Sequence, residues 1–346
     1  MIDVSIIIVT WNGRRHLEAC LSSVAAQRDV SAETILVDNG SSDGTAAFVA
    51  GRFPWVRVVA LASNRGFAGG NNAGAREARG RYLAFLNNDT VADPGWLRAL
   101  LAGVDEAAGF TLVTSRIVYM HDPSVIDSAG DGLLRWGGAF KRCHGAPAST
   151  AAEPAEVFGM CGAACLLPKA LFDELGGFDE AFFASHEDVD LSYRARLLGH
   201  RVRYVPDAVV RHHGSATLGR TSDVSVFHGQ RNLEWVYWKN TPASIVLRTL
   251  PGHVVYNVAA ALYFLRAGRI GAFTRAKLAA VRGLPMVWRK RAHIQATRRV
   301  GAQAIWPMLD RRWLSRKLVE KRFDVGMAGD RNPSRTRANS PGRDVS

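Results

Sequence analysis

The sequence predicts an α/β fold in which helices cover both faces of a parallel sheet. Through the first 90 residues, short apolar runs rich in β-branched residues alternate with segments whose apolar residues recur at helical spacing. This alternation is typical of repeated β-α-β units. Several of these apolar runs are followed directly by polar residues. Ligands of such sheets bind beyond the carboxyl ends of the strands, so these polar residues are candidates for a functional site.

Four strands and three helices are predicted in this first part. Val4–Thr10 is a continuous apolar run, which is typical of a buried parallel strand. No basic residues precede it and it has only the length of a strand, so we do not expect it to be a signal peptide. After it, Leu17, Leu21 and Val24 recur on one face of a helix. The other predicted elements are strands at Thr34–Val37, Val56–Leu61 and Tyr82–Leu86, a helix opened by Asp43-Gly44-Thr45 and a helix over Ala68–Ala78.

The middle of the chain alternates less regularly. Its densest charge cluster, within Phe182–Leu198, has Val189, Tyr193 and Leu197 at helical spacing. The other predictions are strands at Leu112–Tyr119, Glu156–Leu167, Arg203–Val205 and Val209–Arg211, loops over Asp122–Thr150, and a short helix at Pro168–Leu175.

Length and composition restrict the class of protein. With 346 residues, of which 47% are hydrophobic and 22% charged, the chain can form one large α/β domain with an appendage, or two domains. Global disorder and a collagen-like structure are excluded. The four cysteines are too few and too scattered for a disulfide framework, so we expect a reducing compartment. Cys161 and Cys165 are predicted to be small buried strand residues rather than zinc ligands.

The positive charge is concentrated in the last third of the chain. Residues 241–346 contain 21 Lys and Arg residues against five Asp and Glu, whereas residues 1–240 contain 23 against 26. We therefore predict an α/β domain over 1–240, a basic region that associates with an anionic surface over 241–323, and a disordered polar tail over 324–346. Nucleic-acid binding would explain the charge but not the ordered polar strand ends, so no nucleic-acid partner is expected.

The basic region is predicted to lie on a membrane surface rather than to cross a membrane. Its apolar run Val254–Leu265 has only a dozen residues, whereas a spanning helix needs about 20. Arg248, Pro251 and His253 interrupt the segment before it. Aromatic and basic residues interleave through the region, which is typical of amphipathic helices that lie among anionic headgroups. Packing of these helices on the preceding domain is an alternative, and both could hold.

Three sets of carboxylates are candidates for chemistry. Asp38, at a strand end, could accept a hydrogen bond from N3–H of a uracil or thymine ring, or could hold the following turn. Asp89, in FLNNDT, could bind Mg²⁺ or Mn²⁺ together with diphosphate oxygens, or could cap the helix that starts near Pro94. The segment HEDVDL (186–191) holds three acids, which could poise a general base or begin a salt-bridged helix.

Two further motifs contribute to the same interpretation. NRGFAGGNNAG (64–74) is a glycine-rich turn that enters a helix, where Arg65 could neutralise a phosphate. The GxGxxG spacing of dinucleotide-binding enzymes and the GxxxxGK[ST] loop of P-loop hydrolases do not occur in the sequence. His212 and His213 follow a predicted strand and are either metal ligands or structural residues.

Taken in order, these segments resemble the family 2 inverting glycosyltransferases of the GT-A fold. Within that family the chain is most similar to bacterial rhamnosyltransferase-type enzymes of cell-wall or polysaccharide assembly. The resemblance implies a Rossmann-like GT-A sheet, with the amphipathic helices C-terminal to it. The matching stretches, which together span about residues 4–217, are SIIIVTWNG, LVDNGSSDGT, NRGFAGGNNAG, YLAFLNNDT, GGFDEAFFASHEDVDLSYRARLLGHRVRYVPDA and VRHHGSAT.

The resemblance also implies roles for single residues. Asp188 would be the catalytic base, with Glu187 as an alternative candidate. Asp89 stands at the last position of a DxD-type metal motif whose first position is Asn87 here, so Asp89 alone would supply the carboxylate to Mg²⁺ or Mn²⁺. Metal contact would come from His212, or from its neighbour His213. Binding of the nucleotide and donor sugar would involve Thr10, Asn12, Asp38, Arg65, Asn71 and Asn88.

These roles predict the transfer of a sugar from a nucleoside diphosphate, with inversion at the anomeric carbon. The expected donor is dTDP-rhamnose, and the expected acceptor is a glycan linked to a polyprenyl lipid. A UDP-hexose or UDP-N-acetylhexosamine donor is the alternative, as is a catalytically inactive module that only binds a sugar nucleotide. We expect the protein in the cytoplasm, peripherally attached to the inner face of the plasma membrane.

Overall fold

The computed structural model describes residues 2–214 and 222–318, so the predicted tail over 324–346 and the SAT of VRHHGSAT lie outside the described residues. The strands are β1 (Val4–Thr10), β2 (Ala32–Asp38), β3 (Arg57–Ala60), β4 (Tyr82–Leu86), β5 (Thr90–Ala92), β6 (Phe110–Tyr119), β7 (Ile126–Ser128), β8 (Asp131–Leu133), β9 (Ala139–Lys141), β10 (Ala155–Val157), β11 (Ala164–Pro168) and β12 (Arg201–His212). The helices are α1 (Arg14–Ala25), α2 (Thr45–Arg52), α3 (Gly66–Glu77), α4 (Trp96–Gly103), α5 (Lys169–Glu174), α6 (Glu187–Leu197), α7 (Asp223–Asn240), α8 (Ala243–Arg266), α9 (Ile270–Arg282), α10 (Leu284–Thr297) and α11 (Ala302–Ile305).

Most of the strands join one mixed sheet in the order β10-β12-β6-β11-β4-β1-β2-β3. The parallel arrangement predicted from the first four strands is present, because β1 is parallel to β2 and β4, and β2 is parallel to β3. Beyond β4 the sheet changes direction, since β11 runs antiparallel to both β4 and β6. The ends of β1, β2 and β4 therefore meet at one edge, where the polar residues were predicted to gather.

The middle of the chain differs from the prediction in three places. The loops predicted over Asp122–Thr150 contain β7, β8 and β9, whose three residues each are too few to show a period. The strand predicted over Glu156–Leu167 is two strands, β10 and β11, separated by a turn. The two strands predicted after Arg201 form one, β12, whose register against β6 shifts between Val205 and Val209. Pro206 lies in that shift, and a proline cannot donate a ladder hydrogen bond.

Helices cover both faces of the sheet. On one face, Leu17 and Leu21 of α1 and Trp96 of α4 pack in a buried cluster with Ile6 and Ile8 of β1. On the other face, α3 packs on β1 and β2 and α6 packs on β12, and both helices contribute to a second buried cluster. Two glycines let α3 approach β1 closely, because an added Cβ at Gly70 or Gly74 would lie 2.6 Å from the side chains of Val9 or Ile7. The glycine-rich composition of α3 is thus explained by packing.

The C-terminal helices form a layer against α6 and α7. The predicted boundary at residue 240 falls in the short connection between α7 and α8, and the helices on both sides of it contribute to one core. That core contains Tyr193 of α6, Val236 of α7, Ile245 of α8, Ala280 of α9 and Val287 of α10. The predicted α/β domain and the basic region are thus continuous in packing.

The predicted interruption at Arg248, Pro251 and His253 does not break the helix, because α8 is one helix of 24 residues that runs through Pro251. Among the described residues, α8 is a helix whose length and composition would allow it to cross a membrane. One side of it is attached to α7. His253 stacks on Tyr237 with ring centroids 3.9 Å apart, and its Nε2 lies 3.0 Å from Oε2 of Glu234. The Tyr237 hydroxyl lies 2.9 Å from Oγ1 of Thr249.

Candidate active site

The loops after β1, β2 and β4 are joined by side-chain hydrogen bonds. The side-chain amide of Asn88 donates to Oγ1 of Thr10 at 2.9 Å. Gly13 is required beside this pair, because a Cβ there would collide with the Asn88 amide. Asn12 has a positive φ of 51°, and its Oδ1 accepts a 2.8 Å hydrogen bond from the backbone of Ser42. Three residues predicted to bind the nucleotide (Thr10, Asn12 and Asn88) therefore belong to one connected edge.

Asp38 ends β2 at the same edge and is buried. Its Oδ1 accepts a 2.9 Å hydrogen bond from the backbone of Ser41, so the turn-holding role considered for this residue is present. Within the described residues Oδ2 accepts no hydrogen bond, so this oxygen is available to accept one from N3–H of a pyrimidine ring. A cavity of about 670 Å³ opens beside this edge. Its lining comprises Trp11, Asn12, Gly13, Arg14, Arg15, His16, Glu18, Asp43 and Phe48.

The glycine-rich turn is held mainly by protein groups. Arg65 pairs with Glu180, with 2.7 Å between Nη2 and Oε2, and both side chains remain part-exposed. The side chain of Asn71 is buried and donates to the carbonyl of Phe67 within its own helix, 2.9 Å away. Its neighbour Asn72 instead exchanges hydrogen bonds with the backbone of Phe178, at 2.8 and 2.9 Å. Of the two asparagines, Asn72 is therefore the one that connects α3 to the segment before α6.

Asp89 lies against His212, which the fold brings back from the end of β12. Oδ1 of Asp89 is 3.2 Å from Nε2 of His212, and Nδ1 of the same ring is 2.7 Å from Oδ2 of Asp127. Lys141 pairs with the other oxygen of Asp127 at 2.7 Å. An ionised carboxylate only accepts, so Nδ1 of His212 carries the proton and donates it to Asp127. His213 points elsewhere, with its ring 4.9 Å from the ring of His16.

The electrostatics of this group favour charged forms. Burial alone would lower the pKa of His212, but its hydrogen bonds with Asp127 and Asp89 outweigh burial and raise that pKa to about 9. Burial would raise the pKa of Asp127, yet the charge of Lys141 and the bond from His212 hold it well below its usual range. The pKa of Asp89 is lowered too, because His212 outweighs its burial.

The residues present fit a divalent cation. Asp89 offers a carboxylate, the preferred ligand type of Mg²⁺ and Mn²⁺, and Nε2 of His212 faces that same carboxylate. A buried carboxylate on the far nitrogen is the usual support of a metal-binding histidine, and Asp127 occupies that position. Asp89 and His212 would therefore hold the ion together with substrate oxygens, and the ion would take the place of the proton that Nε2 of His212 carries in its charged form.

Asp188 is linked to the segment that carries Asp89 through the backbone of two adjacent residues, Gly162 and Ala163. Its Oδ2 accepts a 2.8 Å hydrogen bond from the backbone of Gly162, and the carbonyl of the next residue, Ala163, accepts one from the backbone of Asn87 at 2.9 Å. Burial raises the pKa of Asp188, although the backbone donors Gly162 and Val189 oppose the rise. A raised pKa brings a carboxylate closer to the range of a general base.

The three acids of HEDVDL have different environments. The pKa of Glu187 is raised well above its usual range by burial and by the charge of Asp188, and its Oε2 is a buried oxygen without a hydrogen-bond partner in the described residues. Asp190 is fully buried but paired, with Nε of Arg194 at 2.9 Å and Nζ of Lys239 at 2.7 Å. Asp190 is thus a structural residue, whereas Glu187 and Asp188 remain candidates for chemistry.

Sequence reasoning missed several residues of this site. Asp127 sits in a three-residue strand within a predicted loop, and a lone acid there carries no recognisable signal. His16 is half-buried in the first turn of α1, where a lone histidine carries no recognisable signal. The sequence shows two adjacent asparagines in the glycine-rich turn, but it does not show which of them bonds outside its own helix. Only the structure assigns that contact, with Phe178, to Asn72.

Two family models match the chain. The model described as glycosyl transferase family 2 matches residues 5–144, and the one described as glycosyl transferase family group 2 matches residues 82–263. The chain is 32% identical over 248 residues to an N-acetylglucosaminyl-diphospho-decaprenol L-rhamnosyltransferase of Mycobacterium tuberculosis. That match covers 64% of this chain and 79% of the relative.

Solved structures share the fold. A mannosyltransferase from Pyrobaculum calidifontis, in complex with GDP-Man and Mn²⁺, superposes with a TM-score of 0.51 at 19% identity, covering 95% of this chain and 88% of that one. GalNAc-T7 with UDP, GalNAc and Mn²⁺ superposes with a TM-score of 0.56 at 19% identity. This chain covers about half, 48%, of that structure, and 69% of this chain is matched. These neighbours confirm the predicted GT-A sheet.

Proposed function

Because this chain belongs to glycosyl transferase family 2 and is a glycosyltransferase, we propose that it moves L-rhamnose from dTDP-rhamnose to a polyprenyl-linked glycan with inversion. The rhamnosyltransferase relative, which is named for a decaprenol-linked substrate, supports the donor sugar and the acceptor class. The observation that supports the transfer reaction is the pair of Asp89 and His212 beyond the end of β4, to which backbone hydrogen bonds of Gly162 and Ala163 link Asp188.

The proposed reaction is a single displacement. Asp188 removes the proton from an acceptor hydroxyl, and that oxygen forms a bond to the anomeric carbon. The bond from this carbon to the diphosphate oxygen breaks, and the nucleoside diphosphate leaves with the electron pair. Attack from the face opposite the leaving group inverts the anomeric configuration. Burial of Asp188 favours this step, because a carboxylate of raised pKa is a stronger base.

The other residues of the edge bind the donor in this proposal. Asp38 accepts from the pyrimidine ring, while Thr10, Asn12 and Asn88 surround the nucleoside. Asp89 and His212 would hold Mg²⁺ or Mn²⁺, which would supply charge neutralisation for the leaving diphosphate. Asp127 keeps the His212 ring turned toward Asp89. Arg65, which the part-exposed Glu180 holds at the start of α3, can contribute positive charge toward the phosphates.

Nucleotide binding tests this proposal without knowledge of the acceptor. We expect calorimetry to show that dTDP binds at least about tenfold more tightly than UDP, GDP or ADP. A site shaped for the thymine base and its deoxyribose should bind the other nucleotides less well. Binding should be tighter with Mg²⁺ or Mn²⁺ than with a chelator. Selective UDP binding would move the donor to a UDP-hexose or UDP-N-acetylhexosamine.

The metal part of this test needs a matched pair of variants. Asp89→Asn keeps the size of the side chain but removes the carboxylate, and it should abolish the metal-dependent gain in dTDP affinity. Asp122→Asn, at an exposed loop position, should leave that gain unchanged. A folded wild-type sample that binds no diphosphate would contradict the transferase proposal and favour an inactive module.

We further propose that α8 attaches the protein to an anionic membrane surface in the cytoplasm, on the inner face of the plasma membrane. Apolar side chains at helical spacing form an exposed stripe along α8, which we call the α8 stripe: Leu247, Leu250, Val254, Val255, Val258, Leu262 and Leu265. Arg248 and Arg266 flank it on the same helix, which suits anionic headgroups. The opposite side of α8 is occupied by its contacts with α7, which supports a helix in the membrane plane rather than a span.

Vesicle sedimentation tests the α8 stripe. Replacing Leu247, Val254 and Val258 together with glutamate should lower partitioning onto phosphatidylglycerol-containing vesicles about tenfold or more, because apolar area is lost and negative charge is added. These side chains are exposed, so the fold should persist. Trp55→Glu changes an exposed apolar residue outside α8 and should have no effect. If the protein instead stayed in the membrane fraction after a wash with alkaline carbonate, that result would indicate that α8 spans the membrane.

A further inference from the structure

The segment immediately before Asp188 has an unusual backbone. Phe183, Ser185 and His186 all have positive φ, at 65°, 74° and 68°. They are three of the six non-glycine residues with positive φ in the described part of the chain. Side chains with a Cβ rarely adopt such conformations, which persist only where the surroundings enforce them. We call Phe182–His186 the base-leading segment, since α6 and Asp188 follow it directly.

The local geometry of the base-leading segment is a tight reversal. Phe183 has φ 65° and ψ −64°, and the backbone of Ala184 donates to the carbonyl of Phe182 at 2.8 Å. This is a γ-turn of the rare kind with positive φ. The reversal turns the carbonyl of Phe183 toward the start of α3, where it accepts a hydrogen bond from the backbone of Ala68 at 3.2 Å. Gly66 makes this approach feasible, because a Cβ there would collide with that carbonyl.

Two consecutive side chains of α7 hold this segment. The side-chain amide nitrogen of Asn232, which is fully buried, lies 3.0, 2.9 and 2.7 Å from the carbonyls of Phe182, Ala184 and Ser185. Arg231 donates to the carbonyl of Phe182 at 2.9 Å and, through Nε, to Oδ1 of Asn232 at 2.9 Å. The arginine thus fixes the orientation of the amide, with its NH₂ group toward the carbonyls.

We infer that Asn232 is a positioning residue for transfer, which keeps the base-leading segment in its strained conformation and thereby sets the place of Asp188. This inference rests on the proposed function, in which Asp188 is the base. Within residues 2–214 and 222–318, the side-chain hydrogen bonds to the carbonyls of Ala184 and Ser185 come from Asn232, and no strand of the sheet contributes one. A donor is essential at this position, since an acceptor would face three carbonyl oxygens.

The test is Asn232→Asp, which keeps the shape and replaces the donor by an acceptor. Amide hydrogen exchange in a peptide covering 183–188 should become at least about tenfold faster, because the segment loses its tether. The kcat for transfer should fall about 10²-fold, because a small displacement of a catalytic group is costly. The donor KM and the calorimetric affinity for dTDP should stay within about threefold, because no nucleotide contact changes.

The matched control is Asn257→Asp, the same change at a half-buried asparagine of α8. It should leave both the exchange rate over 183–188 and kcat unchanged. Full kcat in Asn232→Asp with faster exchange would overturn the positioning role, as would unchanged exchange. Loss of dTDP affinity in parallel with kcat would also overturn it and indicate general unfolding. A wild-type chain that neither binds dTDP nor transfers would instead contradict the proposed function itself.

Discussion

Replacing Asp188 with asparagine is expected to lower the rate of sugar transfer about 10²–10⁴-fold, the usual contribution of a general base. The side chain keeps its size, and its one amide oxygen can still accept one of the two backbone hydrogen bonds that Asp188 receives from Gly162 and Val189, so the strand ends that bind the nucleotide should keep their arrangement. Asp188 makes none of the hydrogen bonds that join the ends of β1, β2 and β4. Binding of dTDP by calorimetry should therefore stay close to wild type while kcat collapses.

Glu187→Gln is the informative comparison, because it changes the adjacent carboxyl. The raised pKa of Glu187 favours its neutral form, so a neutral amide of the same shape should alter kcat only a few-fold. The pH profile gives a second readout, since the base acts only when ionised. In wild type, kcat should fall as the pH drops through the raised pKa of Asp188. Retained transfer in Asp188→Asn together with lost transfer in Glu187→Gln would reassign the base.

Replacing Lys239 with methionine is expected to destabilise the fold by about 3–5 kcal/mol, because it removes the buried cation that Asp179 and Asp190 share and leaves each carboxylate with one remaining cationic partner, Lys290 or Arg194. The Lys239 side chain is almost completely buried, and its Nζ lies 2.6 Å from Asp179 and 2.7 Å from Asp190. Both carboxylates have lowered pKa values, because the positive charge of Lys239 outweighs their burial. The stability that Asp179 and Asp190 contribute is fully present above their pKa values in the unfolded chain. It is lost as the pH falls through their lowered pKa values in the folded protein.

Lys290→Met is the matched control for this change. Lys290 pairs with the same Asp179, at 2.5 Å, but its side chain is 38% exposed. Solvent screens such a pair, so its loss should cost about 1 kcal/mol or less. Urea denaturation of both variants, followed by circular dichroism, measures the difference. Equal losses of stability would show that burial of Lys239 does not set its contribution.

The predictable part of the fold was the part with a strong local apolar pattern. β1 and β4 are continuous apolar runs and α1 has apolar residues at helical spacing, and the structure has these elements where the pattern placed them. The short strands β7, β8 and β9 carry too few residues for a period, and they were predicted as loops. β12 was predicted as two strands, because a register shift around Pro206 interrupts its pattern without interrupting the strand.

The candidate site shows the same division. The strand ends hold the polar residues that the order of elements placed there, because parallel strands bring their carboxyl ends to one edge. Asp127 was missed, since its partner His212 lies 85 residues later and the two meet only through the pairing of β7 and β12 with β6. Likewise, nothing in the α7 sequence marks Asn232 as the partner of carbonyls nearly 50 residues earlier.

By itself, the sequence determined the α/β class, the edge of the sheet that carries the polar residues, the family and the acids available for chemistry. These follow from local periodicity and from the order of motifs, which are properties of the chain. Only the tertiary structure decided that His212 rather than His213 faces Asp89, that Asp190 is neutralised by Lys239 while Asp188 is not, and that α7 holds the segment before the base. Neighbouring residues of the same type, such as His212 and His213, differ in the direction of their side chains, and the packing of elements that are distant in the sequence sets that direction.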